Sequence, residues 1–99
     1  NVAWKLEECE KVVNAYCKKR YKNSRLKLPK EIESMIYLEV ANSFEGEEEK
    51  ENRQKWRLRA YDNSNNSKEI QELISDCMEK DSTFDISMIW QIINKRFEK

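Results

Sequence analysis

The chain has 99 residues, enough for one domain with a single modest core, since chains of this size bury roughly 60 to 70% of the surface their unfolded forms expose. Charged residues make up 38% of it, yet 19 Lys plus Arg balance 19 Asp plus Glu, so a partner must be recognised through local patches, and a generic nucleic-acid binder would be more basic. One Gly and one Pro argue against a turn-rich sandwich or barrel, while abundant Glu, Lys, Leu, Ile and Arg argue for an all-α fold, a compact bundle of about four to five short helices in one domain spanning residues 1–99.

From Val2 to about Tyr21, Leu6, Cys9, Val13 and Tyr16 recur at helical spacing, with Cys17 widening the stripe. Asn23 and Ser24 are expected to end this first helix, behind a cationic cluster of Lys18, Lys19, Arg20 and Lys22 that suits a helix C-terminus. Pro29 stands where a helix favours its first residue, and Ile32, Met35, Ile36, Val40 and Phe44 form the stripe of a second helix running to about Ser43. Tyr37 and Leu38 broaden its apolar surface, which predicts contact with more than one neighbour and hence a central position.

Gly46 separates the second helix from a third, and the segment Glu45 to Tyr61, read as one helix, changes charge halfway along, with Glu45, Glu47, Glu48, Glu49 and Glu51 followed by Arg53, Lys55, Arg57 and Arg59. Acid at the N-terminal end and base at the C-terminal end suit the macrodipole. Trp56 and Ala60 share one face and Arg53 and Arg57 another, and a strand over Trp56, Leu58 and Ala60 is the alternative, although it lacks a pairing partner. Asp62 to Ser67, all Asp, Asn and Ser, reads as a loop because these side chains bond their own backbone. Ser67 is expected to cap a fourth helix carrying Ile70, Leu73, Ile74, Cys77 and Met78. Ser82 and Asp85 have capping-box spacing and are expected to open a fifth, with Ile86, Ile89, Trp90, Ile93 and Phe97 as its stripe.

The chemistry excluded is broad. Without His, the Ser-His and Cys-His nucleophile pairs and the usual mixed zinc sites are missing together. The only Gly, Gly46, cannot make a phosphate-cradling loop. Cys9, Cys17 and Cys77 are odd in number and contain no CxxC pair, so they read as small apolar residues of a protein in a reducing compartment, with neither metal nor disulfide. Carboxylate pairs such as Glu31 with Glu33 read as solvated helix faces. No enzyme activity and no cofactor are expected. No apolar run approaches a bilayer span and no signal-peptide pattern opens the chain, so a soluble protein is expected. A start at Asn1 rather than Met suits a domain cut from a longer protein.

What remains is the basic and aromatic strip, four cations in seven residues from Arg53 to Arg59, which a helix does not need for its own stability. Its surroundings, "EIESMIYLEVANSF", then "ENRQKWRLRAYDN", then "NNSKEIQELI" and a last short helix, resemble the central domain of the transcription elongation factor IIS family. In that family a helix with an Ile-Glu pair, here Ile32 and Glu33, precedes a basic and aromatic helix, an Asn-rich turn and a helix of apolar pairs, here Leu73 and Ile74. The resemblance implies a nuclear, non-catalytic domain that docks on RNA polymerase II through Arg53, Lys55, Arg57 and Arg59, with Lys18, Lys19 and Arg20 as an auxiliary patch. Trp56 is then a partner anchor or a core residue, and its sharing a face with Ala60 favours the core.

Two rival readings stay open. Helices four and five form a nucleic-acid-binding helix-turn-helix, or the strip lies on phosphates. Alternatively the domain is a helical adaptor with Met88, Ile92 and Phe97 as a groove or dimer surface. A monomer is expected in the leading reading.

Overall fold

The computed structural model describes residues 2–20 and 29–97, with side chains to residue 95. Its elements are α1 (Val2–Arg20), α2 (Pro29–Asn42), a single 3-10 turn (Glu47–Glu49), α3 (Lys50–Asn63), α4 (Lys68–Lys80) and α5 (Ser87–Phe97). The fold is all-α, and no described residue is in a strand. The expected end of α1 at Asn23 and Ser24, and the side chain of Phe97, lie outside the described residues.

α2 is the central helix, packed against α1 on one side and α3 on the other. Met35, Leu38, Val40 and Ala41 are all buried, a spread wider than one helical stripe and the mark of a helix enclosed on several sides. α1 brings Cys9, Val13 and Cys17, one turn apart, onto it. The main core joins Val13, Met35, Leu38, Ile70, Ile74 and Ile89, and a smaller cluster of Cys9, Val40, Ala41 and Trp56 lies between α1, α2 and α3.

The charge-split segment is not one helix. Gly46 takes φ +93, and a Cβ there would stand 2.9 Å from the Glu48 carboxylate, so the chain turns at this left-handed residue. Glu47–Glu49 make the 3-10 turn and α3 begins only at Lys50. At the other end α3 outlasts expectation, taking in Asp62 and Asn63. Asn63 spends its amide on other elements, donating to Lys30 O at 2.9 Å and Ser34 Oγ at 3.0 Å. It therefore does not compete with its own helical backbone.

Ser67 caps α4 as expected, its Oγ accepting from Ile70 N at 3.3 Å. α5 starts later than the expected capping box at Ser82. Residues 82–85 form an irregular connection, Ile86 is in a turn, and Asp85 Oδ1 accepts from Ser87 N at 2.9 Å at the start of α5. The connection is pinned by Asn42 on α2, which donates to Phe84 O at 2.7 Å while its Oδ1 accepts from Phe84 N at 3.2 Å. With its backbone satisfied by that amide, the segment has no need to begin the helix early.

Candidate docking surface on the third helix

α3 turns its residues in two directions. Arg53, Trp56, Arg57 and Ala60, at i, i+3, i+4 and i+7, line one side. Trp56 and Ala60 are buried, Trp56 at 5% exposure, which places it in the core. Arg57 follows them inward and is 1% exposed. Its side chain ends at the close of α4, donating to Asp81 Oδ1 at 2.6 Å, to Ser82 O at 3.0 Å and to Gln54 Oε1 at 3.1 Å. Arg53 grips the same carboxylate with two bonds, Nε to Oδ1 at 3.2 Å and Nη2 to Oδ2 at 2.9 Å, and donates also to Phe44 O and Gly46 O. Gln54 adds a bond to Met78 O at 2.7 Å.

Asp81 occupies a position where glycine is the usual choice. It ends α4 at φ 48, and Ser82 N donates back to Cys77 O at 3.2 Å, the closure typical of a left-handed helix terminus. A left-handed Asp costs about 1–2 kcal/mol of backbone energy, offset here by two guanidinium groups that also meet the negative end of α4. The hydrogen bonds from Arg53, then those from Arg57, hold the Asp81 carboxyl far below the usual carboxylate range, and the same pairing pushes the Arg53 guanidinium up. A hollow of about 430 Å³ opens beside this cluster, but Glu45, Glu47 and Asp81 line it along with the two arginines. It offers no net positive field.

The expected four-cation ridge is therefore corrected to a pair. Arg53 and Arg57 do not stand clear of the bundle, because Asp81, 24 residues beyond Arg57, gives them an internal counter-charge. The cations that face solvent are Lys55 and Arg59, with Leu58, 49% exposed, between them. Arg59 lies over two aromatic rings, its guanidinium 4.7 Å from the Trp56 ring centroid and 5.8 Å from that of Tyr37. Tyr37 donates to Glu33 Oε1 at 2.6 Å, which with desolvation pushes its phenol pKa up, and it borders a shallow groove lined by Leu6 and Ile36 together with the acidic Glu10 and Glu33. The surface is thus a stacked cation beside an exposed leucine, continued by an aromatic edge onto α2.

Lys18, Lys19 and Arg20 are exposed in the last turn of α1, a separate patch on a helix that packs against α2 rather than extending the α3 surface. Arg20 folds back over Tyr16, 3.5 Å from the ring centroid. Of the expected adaptor groove, Met88 is exposed but Ile92 is 5% exposed and belongs to the core. The three cysteines are buried free thiols, and desolvation pushes each pKa up, which makes them poor nucleophiles. Among the described residues no group of His, Cys, Asp and Glu is arranged to hold a metal, and no helix is long and apolar enough to cross a membrane. Comparison with protein-family models, with curated proteins and with solved structures finds no match to this chain.

Proposed function

We propose that this chain is a non-catalytic helical docking module that meets an acidic protein surface through the outer face of α3. The observation that carries this reading is Leu58, 49% exposed, flanked by Lys55 and by an Arg59 stacked on Trp56 and Tyr37. A guanidinium resting on rings keeps its charge outward with little rotamer entropy left to lose on binding, and an apolar residue beside it supplies burial. Charge complementarity of this kind raises encounter rates and fixes orientation.

In the form implied by the resemblance to elongation factor IIS, the partner is RNA polymerase II in the nucleus and the module belongs to a transcription elongation factor or a related chromatin-associated protein. The order of helices and the basic, aromatic third helix support that assignment, with Lys55 and Arg59 taking over the contact role first given to all four cations. Arg53 and Arg57 act indirectly, by fixing α3 to the end of α4. The nucleic-acid reading has less to draw on, since of the cations on α4, Lys80 is paired with Asp76 at 3.2 Å.

The test is binding of the chain to purified RNA polymerase II, with Lys55→Glu, Leu58→Asp and Arg59→Glu combined. These residues are exposed, so helicity should hold while affinity falls at least about tenfold, as expected for a contact centre. Undiminished binding by the helical triple variant overturns the assignment of the surface. Absence of binding by the parent chain overturns the assignment of the partner.

A further inference from the structure

α1 is apolar on two sides. Its inner stripe packs on the bundle, but Trp4 is 63% exposed and Val12 53% exposed on the outer side, with Ala15 exposed between them and the C-terminus. Farther along the same helix Val12, Ala15, Tyr16, Lys19 and Arg20 surround a hollow of about 490 Å³. Four of these, at i, i+3, i+4 and i+7, make the frame that a helix presents to an incoming side chain from a neighbouring helix. The hollow has a firm wall, because Tyr16 stands edge-on to the buried Trp90, with ring centroids 6.1 Å apart, and Arg20 covers the Tyr16 ring. At 1.5 Å per residue its centre lies about 17 Å along the axis from Trp4. The chain's own indole cannot reach it.

We propose that this outer face is a self-association surface, on which α1 of a second copy lies antiparallel. A two-fold axis passing between the two helices, perpendicular to both and level with Cys9 and Glu10, places the indole of each Trp4 at the hollow of the other copy, near Ala15 and Tyr16 and beside the Lys19 and Arg20 cations. The same register sets Glu8 of each copy against Lys11 of the other. Both residues are exposed, and the pairing they make within one helix, 3.7 Å long, is a solvent-screened contact worth little, so little opposes exchange for the intermolecular pair. In this register Lys18, Lys19 and Arg20 lie level with the start of the neighbouring helix near Val2, so the charge matching rests on the two Glu8–Lys11 pairs. A parallel arrangement would set like charges together. A strip about 28 Å long and 10 Å wide falls short of the ~800 Å² per partner of a standard interface. The pairing is accordingly weak and reversible.

Sedimentation equilibrium of the 99-residue chain from micromolar to millimolar concentration tests this. A monomer-dimer equilibrium is expected, with Trp4 fluorescence shifting to the blue as the dimer fills. Trp4→Ala should weaken the dimer at least about tenfold without loss of helicity, since the ring is mostly in solvent in the monomer. Glu8→Lys alone and Lys11→Glu alone should each weaken it, and the double exchange should restore it, because the two-fold axis then sets Lys against Glu again. A chain that stays monomeric at millimolar concentration overturns the proposal. So does a dimer that survives Trp4→Ala, or one that the double exchange fails to restore.

Discussion

Arg57→Ala separates an internal arginine from a contact arginine. The side chain is 1% exposed and gives up bonds to Asp81, Ser82 O and Gln54. Removing one member of a buried ion pair costs about 3–5 kcal/mol. The lower end applies, because only the arginine is fully buried, Asp81 being 20% exposed, and Asp81 keeps the two-bond grip of Arg53. For a domain of this size each kcal/mol moves Tm by about 4–8 °C, so a loss near 3 kcal/mol lowers Tm by about 12–24 °C. Arg59→Ala, which removes only a solvent-exposed cation stacked on rings, should cost about 0.5–1 kcal/mol. Thermal melts followed by far-ultraviolet circular dichroism read both. If Arg57→Ala melts within about 4 °C of the parent, or Arg59→Ala falls as far as Arg57→Ala, the division of the strip into an inner and an outer pair is wrong.

Two further outcomes follow from the same region. Gly46→Ala forces a Cβ into a left-handed turn and against the Glu48 carboxylate, so it should destabilise by about 1–2 kcal/mol, and a denaturant midpoint equal to the parent's would refute the need for glycine there. The carboxyl of Asp81 is held below its ordinary value of 3.8 by Arg53 and Arg57, so its contribution is fully present above that value and is lost as pH falls through it toward the depressed one. The Tm gap between the parent and Asp81→Asn should be constant from pH 7 down to about pH 5 and narrow below about pH 4. A gap that persists unchanged into stronger acid would show that the carboxylate charge does not contribute.

The helices were legible because their signals are local. Ser67 ahead of Ile70, Pro29 opening α2, and the stripes of α1 and α4 need no knowledge of distant residues. Gly46 was legible as the separator of α2 from α3, but the 3-10 turn that delays α3 to Lys50 was not, and the late start at Ser87 depends on an amide from Asn42 that is 42 residues away from Phe84. The candidate surface was half legible for the same reason. Periodicity alone sets Arg53 and Arg57 beside Trp56 and Ala60, but a buried arginine requires a counter-charge at its tip, and Asp81 lies at a helix terminus that residue spacing does not link with α3. Leu58 entered the sequence reading as part of the strand alternative with Trp56 and Ala60, and its exposure became clear once the inner side of α3 was occupied.

The Asn42 bridge to Phe84 has a chemical corollary. It is a donor and an acceptor at once, borrowing for one side chain the two-bond exchange that paired strands make. Spontaneous hydrolysis of that amide to Asp would keep the acceptor, delete the donor, and add a negative charge close to Glu39, whose own pKa is already pushed up, chiefly by burial and further by Asp85. A single deamidation, adding one mass unit to a chain of 12.0 kDa, would thus release the linker ahead of α5. Loss of the amide at this one position would register as a loosened α4–α5 junction.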